Sequence, residues 1–326
     1  QPSRLADLIG STLPVHQPAG AFFFPSDLET PAAAPRPYSF RHRFGVPVRY
    51  HDIASFAATS NLDLVEIHLS YKDLEVNLDQ VLPAKQGIGL VVHAPELFAG
   101  DHTLDLCSAD DTYRRHSIAE LQRVVDISRN LRRRFDCPEP VLLVTNVGGF
   151  SEHHHLDQAE LLPLRQRLID SLQRINNSGD VEIIPQTMPP FPWHFGGQRF
   201  HNLFVDSPFI RDFCEETSMR VCLDVSHSKL ACNHLKASFS AFLRTILPFT
   251  AHLHLADAKD VDGEGLQIHD GEIDWVQLFD LMGQLSPNAS FIPEIWQGHK
   301  NNGEGAWLAL ERLESCDQQT SLPKVA

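Results

Sequence analysis

The chain has 326 residues, 42% of them hydrophobic, and its 42 acidic against 27 basic side chains give a net charge of −15. That length suits one large α/β domain or two smaller ones. No apolar run is long enough to span a membrane, and an acidic surface repels phosphate backbones, which argues against a DNA or RNA partner. Six cysteines (Cys107, Cys137, Cys214, Cys222, Cys232 and Cys316) form no C-x-x-C pair. They read as reduced thiols of a cytoplasmic protein.

Residues 1–43 are rich in Pro, Ala and Ser, with one compact apolar cluster, Ala21-Phe22-Phe23-Phe24. This stretch reads as an irregular N-terminal arm or the remnant of a preceding domain, and 44–326 as the main domain. From there short apolar runs alternate with longer amphipathic ones. The apolar runs fall at 46–52, 62–69, 88–96, 140–149, 181–187, 220–227, 251–259 and 290–299. Between them, stretches such as 111–135 and 156–175 carry apolar residues at three- and four-residue spacing, the period of a helix. Eight strand-like runs alternating with helices predict a single (β/α)8 barrel, a fold of about 250 residues. An open doubly wound sheet is the alternative, but no G-x-G-x-x-G follows the first strand.

In such barrels the chemistry sits at the C-terminal ends of the strands. Those ends read Arg49 and His51, Glu66 and His68, His93, Asn146, Gln186, Asp224 with His227, His254 with Asp257 and Lys259, and Glu294 with Gln297 and His299. Polar groups crowded round one mouth cost desolvation unless they bind something. Ile-Pro precedes both Gln186 and Glu294, and proline, which cannot donate to a ladder, marks a strand terminus. Gln186, Asp224, His254 and Glu294 supply oxygen and nitrogen ligands from four successive strands, a set suited to one divalent ion such as Mn²⁺, Mg²⁺, Co²⁺ or Zn²⁺. The plainer reading of Asp224 is a helix N-cap. His153-His154-His155 cannot all face one ion and reads as a solvated loop.

The segments D-V-S-H (224–227), A-H-L-H-L-A-D (251–257), I-H-D-G-E-I-D-W (268–275) and P-E-I-W-Q-G-H (293–299) resemble the xylose-isomerase-like TIM barrels. That group includes sugar and sugar-phosphate isomerases and epimerases, inosose dehydratase and endonuclease IV. The likeness runs over about 44–315. It implies metal ligands at Gln186, Asp224, His254 and Glu294, a substrate-side role for His227, and a strand-three histidine, His93, near the substrate. Two positions depart from the pattern. Gln186 stands where the family usually has Glu, so the two-base epimerisation that a pair of glutamates performs loses one base, while one-base isomerisation or dehydration survives. His269-Asp270-Gly271 stands where Gly-x-Gly is typical. The additional ligands of a three-zinc endonuclease IV cluster are missing. Leu13-Pro14-Val15 and the residues up to Leu28 faintly resemble the small domain that ends sialic-acid synthases, as in a fusion protein.

The loop 188–204 is dense in aromatics, and Trp193 and Arg199 are expected over the mouth, with aromatic faces for sugar C–H surfaces and a guanidinium for a carboxylate or phosphate. Asp257, Lys259 and His299 complete the expected substrate-binding set. The glycine-rich loop 298–305 is either a phosphate site at a helix start or simply a turn. The resulting expectation is a metal-dependent isomerase or epimerase of a sugar, sugar acid or sugar phosphate, with Glu294 and His227 catalytic and a small carbohydrate as its partner. The alternatives are a dehydratase acting on a polyol-derived ketone, and a degenerate barrel that serves as a binding domain.

Overall fold

The computed structural model describes residues 34–82, 84–191 and 199–320. Among them eight parallel strands alternate with helices: β1 (Gly45–Val48), β2 (Leu64–His68), β3 (Gly89–His93), β4 (Val141–Thr145), β5 (Val181–Pro185), β6 (Val221–Asp224), β7 (Thr250–Leu255) and β8 (Ser290–Pro293). Strands β1 to β5 pair in sequence order, as do β6 to β8. Single parallel bridges close the ring, Gln186 to Cys222 between β5 and β6 and Phe44 to Phe291 between β8 and β1. The result is the expected barrel. Several of its helices begin on side-chain caps: Asp110 accepts from Thr112 N and Tyr113 N, and Asp157 forms a capping box with Glu160. Each cap contributes about 1 kcal/mol.

Strand parity builds the interior in layers. Leu64, Val91, Ile184, Cys222 and Ile292, one from each of five strands, belong to a small buried cluster separate from the main core. Side chains two residues apart share a face of a strand. The next inward positions toward the C-terminal end are therefore Glu66, His93, Gln186, Asp224 and Glu294, joined by His252 and His254 on β7. An apolar floor thus lies directly beneath a polar layer.

The expected arm is described from residue 34 onward, and that part is docked against the last helix (Lys300–Gln318). Arg36 pairs with Glu314 (2.7 Å) and Arg41 Nε with the buried Asp317 (2.9 Å). Ser39 N donates to Glu314 Oε1 and Tyr38 Oη to Trp307 O. Tyr38 and Phe56 both stack on Trp307, at centroid distances of 6.4 and 5.6 Å. The synthase-like stretch at 13–28 lies outside the described residues.

His42, next to this clasp, is buried at 4% exposure. Burial holds its imidazole below the ordinary value of 6.5, with Asp317 opposing. The unfolded chain takes up a proton that folded His42 refuses, so stability falls as pH drops through about 6.5. His42→Asn is expected to flatten the pH 5–7 dependence of Tm, by up to about 1.4 kcal/mol per pH unit in the underlying free energy.

Candidate active site

The polar layer converges at the C-terminal mouth. Asp224 ends β6 and starts the helix Val225–Leu235, and its two oxygens divide the work. Oδ1 accepts from His227 N at 2.8 Å, an N-cap. Oδ2 faces inward, accepting from Gln186 Nε2 at 3.0 Å and lying 3.8 Å from His254 Nδ1. The cap thus occupies one oxygen of Asp224 and leaves the other facing the pocket. Glu294 follows β8, and its Oε2 approaches His254 Nδ1 at 2.7 Å. The Gln186 amide N–H also reaches His254 Nδ1, at 3.2 Å, while its oxygen faces His93 Nε2 at 3.2 Å. Gln186, Asp224, His254 and Glu294 are therefore gathered round one point. The ligand atoms of Asp224, His254 and Glu294 all lie within 4.8 Å of one another.

Around them stands a ring of imidazoles. His68 stacks on His93 at a 4.8 Å centroid distance and lies 3.9 Å from Glu294. His227 sits between Asp224 (3.3 Å) and Glu264 (3.1 Å), with Nδ1 donating to Thr187 O. Glu264 reaches over from the hairpin formed by Asp257–Lys259 and Gly263–Leu266. Beneath, the fully buried Glu66 is surrounded by His68, His252 and His254 at 2.8–3.1 Å. Glu264 carries no signal in the sequence, whereas His252 does, as a polar residue inside the apolar run 251–259. Glu66 does too: it is a charge inside the apolar run LDLVEIHL.

The charges are mutually dependent. Burial alone would lower the His227 imidazole, but Asp224 and Glu264 raise it to about 10. Burial raises Asp224 to about 6 against the opposing pull of His227. Glu294 resists its burial because His254, His68 and His93 hold its carboxyl far below the usual range. Burial lowers His93. At neutral pH the mouth therefore presents an ionised Glu294 opposite a protonated His227.

The remaining expected residues take different places. Asp257 is instead wholly buried and accepts from Ala258 N, His269 N, Ile273 N and Trp275 Nε1, which fixes the loop after β7 rather than facing substrate. Gly271 packs onto this carboxylate so closely that a Cβ there would lie 2.3 Å from Asp257 Oδ1. Lys259 is exposed on the hairpin. His299, just beyond β8, feels Lys300, Arg49 and Asp52, and burial together with Lys300 lowers its imidazole. Arg199 lies near Asp105 and Tyr113 on the β3 side. Trp193 lies outside the described residues. Around the 298–305 loop, the N–H groups of Gly298, Lys300, Gly303 and Ala306 are spent on the carbonyls of Ile295, Gln297, His299 and Gly298, as in a turn.

Among the described residues, no helix is long and apolar enough to cross a membrane. No curated protein sequence matches the chain. Solved structures with the same fold include a D-tagatose 3-epimerase-like protein, with 17% identity, a TM-score of 0.62, and coverage of 85% of this chain and 99% of that one. A 3-keto-D-glucoside 4-epimerase from E. coli shows 13% identity, a TM-score of 0.59, and coverage of 84% and 100%. Endonuclease IV from Thermus thermophilus shows 18% identity, a TM-score of 0.52, and coverage of 85% and 100%. The sequence profile of the xylose isomerase-like TIM barrels matches residues 54–316. With the closed eight-stranded ring and the profile in agreement, the chain belongs to the xylose isomerase-like TIM barrel family.

Proposed function

We propose that the protein is a metal-dependent isomerase or epimerase of a sugar, sugar acid or sugar phosphate, working by proton transfer at a carbon beside a carbonyl. The observation that carries this is the convergence of Gln186, Asp224, His254 and Glu294 at the barrel mouth. Sugar epimerases among the structures of like fold support the substrate class.

The donor set fits a divalent cation: two carboxylates, an imidazole nitrogen and an amide. Gln186 can join as a neutral oxygen ligand. His93 Nδ1 meets Ala94 O at 2.8 Å, and a carbonyl only accepts, so in a neutral ring Nε2 is the bare nitrogen. A half-turn of the Gln186 amide then offers its NH2 to that nitrogen and its oxygen to the pocket shared by Asp224 and His254. A bound ion, held by Gln186, Asp224, His254 and Glu294, would supply Lewis acidity toward the substrate. Glu294, ionised and with 33% of its side chain exposed to the mouth, takes the proton from carbon. His227, held as a cation between two carboxylates, balances the negative charge that develops on the substrate oxygen. Arg199, Lys259 and His299 are the residues left to orient the rest of the sugar. Because an amide cannot accept a proton, Gln186 favours one-base chemistry, which a dehydration of a polyol-derived ketone would share.

The test is a panel of ketoses, ketose phosphates and keto sugar acids incubated with protein and Mn²⁺ in D2O and followed by NMR. Deuterium entry beside the carbonyl with formation of an isomer is the expected result. Loss of water identifies the dehydratase, and no exchange with any member together with no ion uptake refutes the proposal. Gln186→Glu adds a carboxylate to the pocket and is expected to tighten Mn²⁺ binding by at least about tenfold in calorimetry, since ligand charge count tunes the affinity of such sites.

A further inference from the structure

We infer that Glu66 is a positioning residue: its carboxylate keeps the proton of His254 on Nε2 and leaves Nδ1 to the pocket formed with Gln186, Asp224 and Glu294. This rests on the metal-site reading above and adds the device that orients its imidazole ligand. The two His254 nitrogens face opposite surroundings. On the inner side Nε2 donates to Glu66 Oε2 at 3.1 Å, with Oε1 at 3.0 Å, and a carboxylate only accepts. On the outer side Nδ1 meets Glu294 Oε2 at 2.7 Å and the Gln186 amide at 3.2 Å, with Asp224 Oδ2 at 3.8 Å, so this is the nitrogen that would share an ion with them.

Glu66 is itself fixed. It is fully buried on β2, the strand opposite the ligand-bearing half of the barrel, and a lone buried carboxylate is costly unless it is paired. His68 Nε2 lies at 2.9 Å from Oε1 and His252 Nε2 at 2.8 Å from Oε2. His252 is tied in turn to Ser290 Oγ at 2.7 Å on β8. The chain of contacts therefore runs from the wall of the barrel through His252 and Glu66 to His254, and ends at the pocket. A carboxylate behind a ligating imidazole fixes its tautomer and ring orientation and raises its basicity, and its loss costs about 10- to 100-fold in metal affinity.

The experiment uses the EDTA-stripped whole chain. Titration with Mn²⁺ by calorimetry compares wild type with Glu66→Gln, whose amide can turn its NH2 toward Nε2 and drive the proton to Nδ1. A Kd weaker by about 10- to 100-fold, with the thermal transition still cooperative, is expected. Nitrogen-15 spectra of histidine-labelled wild type, metal-free and Zn²⁺-loaded, need no variant and should show His254 Nε2 protonated in both. A bare Nε2 in either state, or an unchanged Kd in folded Glu66→Gln, overturns the inference. So does a wild type that takes two ions where Glu66→Gln takes one, because Glu66 would then be a ligand of a second ion. A wild type that takes no ion refutes the metal site instead, and the protonation of Nε2 is still read in the metal-free spectrum.

Discussion

Glu294→Gln is expected to lower kcat for exchange of the substrate C–H by about 10²- to 10⁴-fold, the range for losing a positioned general base. The loss should appear as missing deuterium incorporation in D2O, whichever sugar of the panel proves to be the substrate. Because the amide oxygen can still serve as a ligand, Mn²⁺ affinity should fall far less than kcat. His254→Ala should show the opposite split, with ion uptake lost first and activity with it. Equal kcat in wild type and Glu294→Gln would assign the proton transfer elsewhere, and His68, 3.9 Å from Glu294 Oε1, would be the next group to examine.

Trp307→Ala is expected to cost about 3–5 kcal/mol, the usual toll for removing a buried large aromatic, read as a lower urea midpoint at unchanged m-value. Trp307 is 2% exposed and is sandwiched between Tyr38 and Phe56, while its Nε1 donates to Asn302 O at 2.9 Å. The substitution opens a cavity under the last helix, unpins Tyr38 and leaves the Asn302 carbonyl without its indole partner. Asn301, Asn302 and Gly303 all have positive φ, a run of left-handed backbone that Trp307 helps to hold. Loss of this anchor should therefore also loosen the rim of the mouth near His299.

Much of this architecture is legible in the amino-acid order because strands and helices write different periods. The eight apolar runs correspond to the eight strands, and the polar residues closing β2, β3, β5, β6 and β8 land in the layer above Leu64, Val91, Ile184, Cys222 and Ile292 because parity leaves them nowhere else to point. Asp224 caps its helix through one oxygen and turns the other to the pocket, a division invisible while the carboxylate is counted as one group. Other features have no period to read. Glu264 reaches His227 through the fold of a hairpin, and Asp257, at a strand end like a site residue, is consumed by four donors that its own loop brings back to it. The docking of 36–41 depends on isolated residues, Tyr38 and Arg41 among them, whose partners lie more than 260 positions away.

The clasp between that segment and the last helix brings the two ends of the barrel domain together on the face from which β1 departs, away from the mouth. A partner fused directly to Arg36 would therefore start from the floor of the barrel. Reopening the chain inside an entrance-side loop and joining Arg36 to Gln318 with a short linker should, for the same reason, leave the polar layer in place.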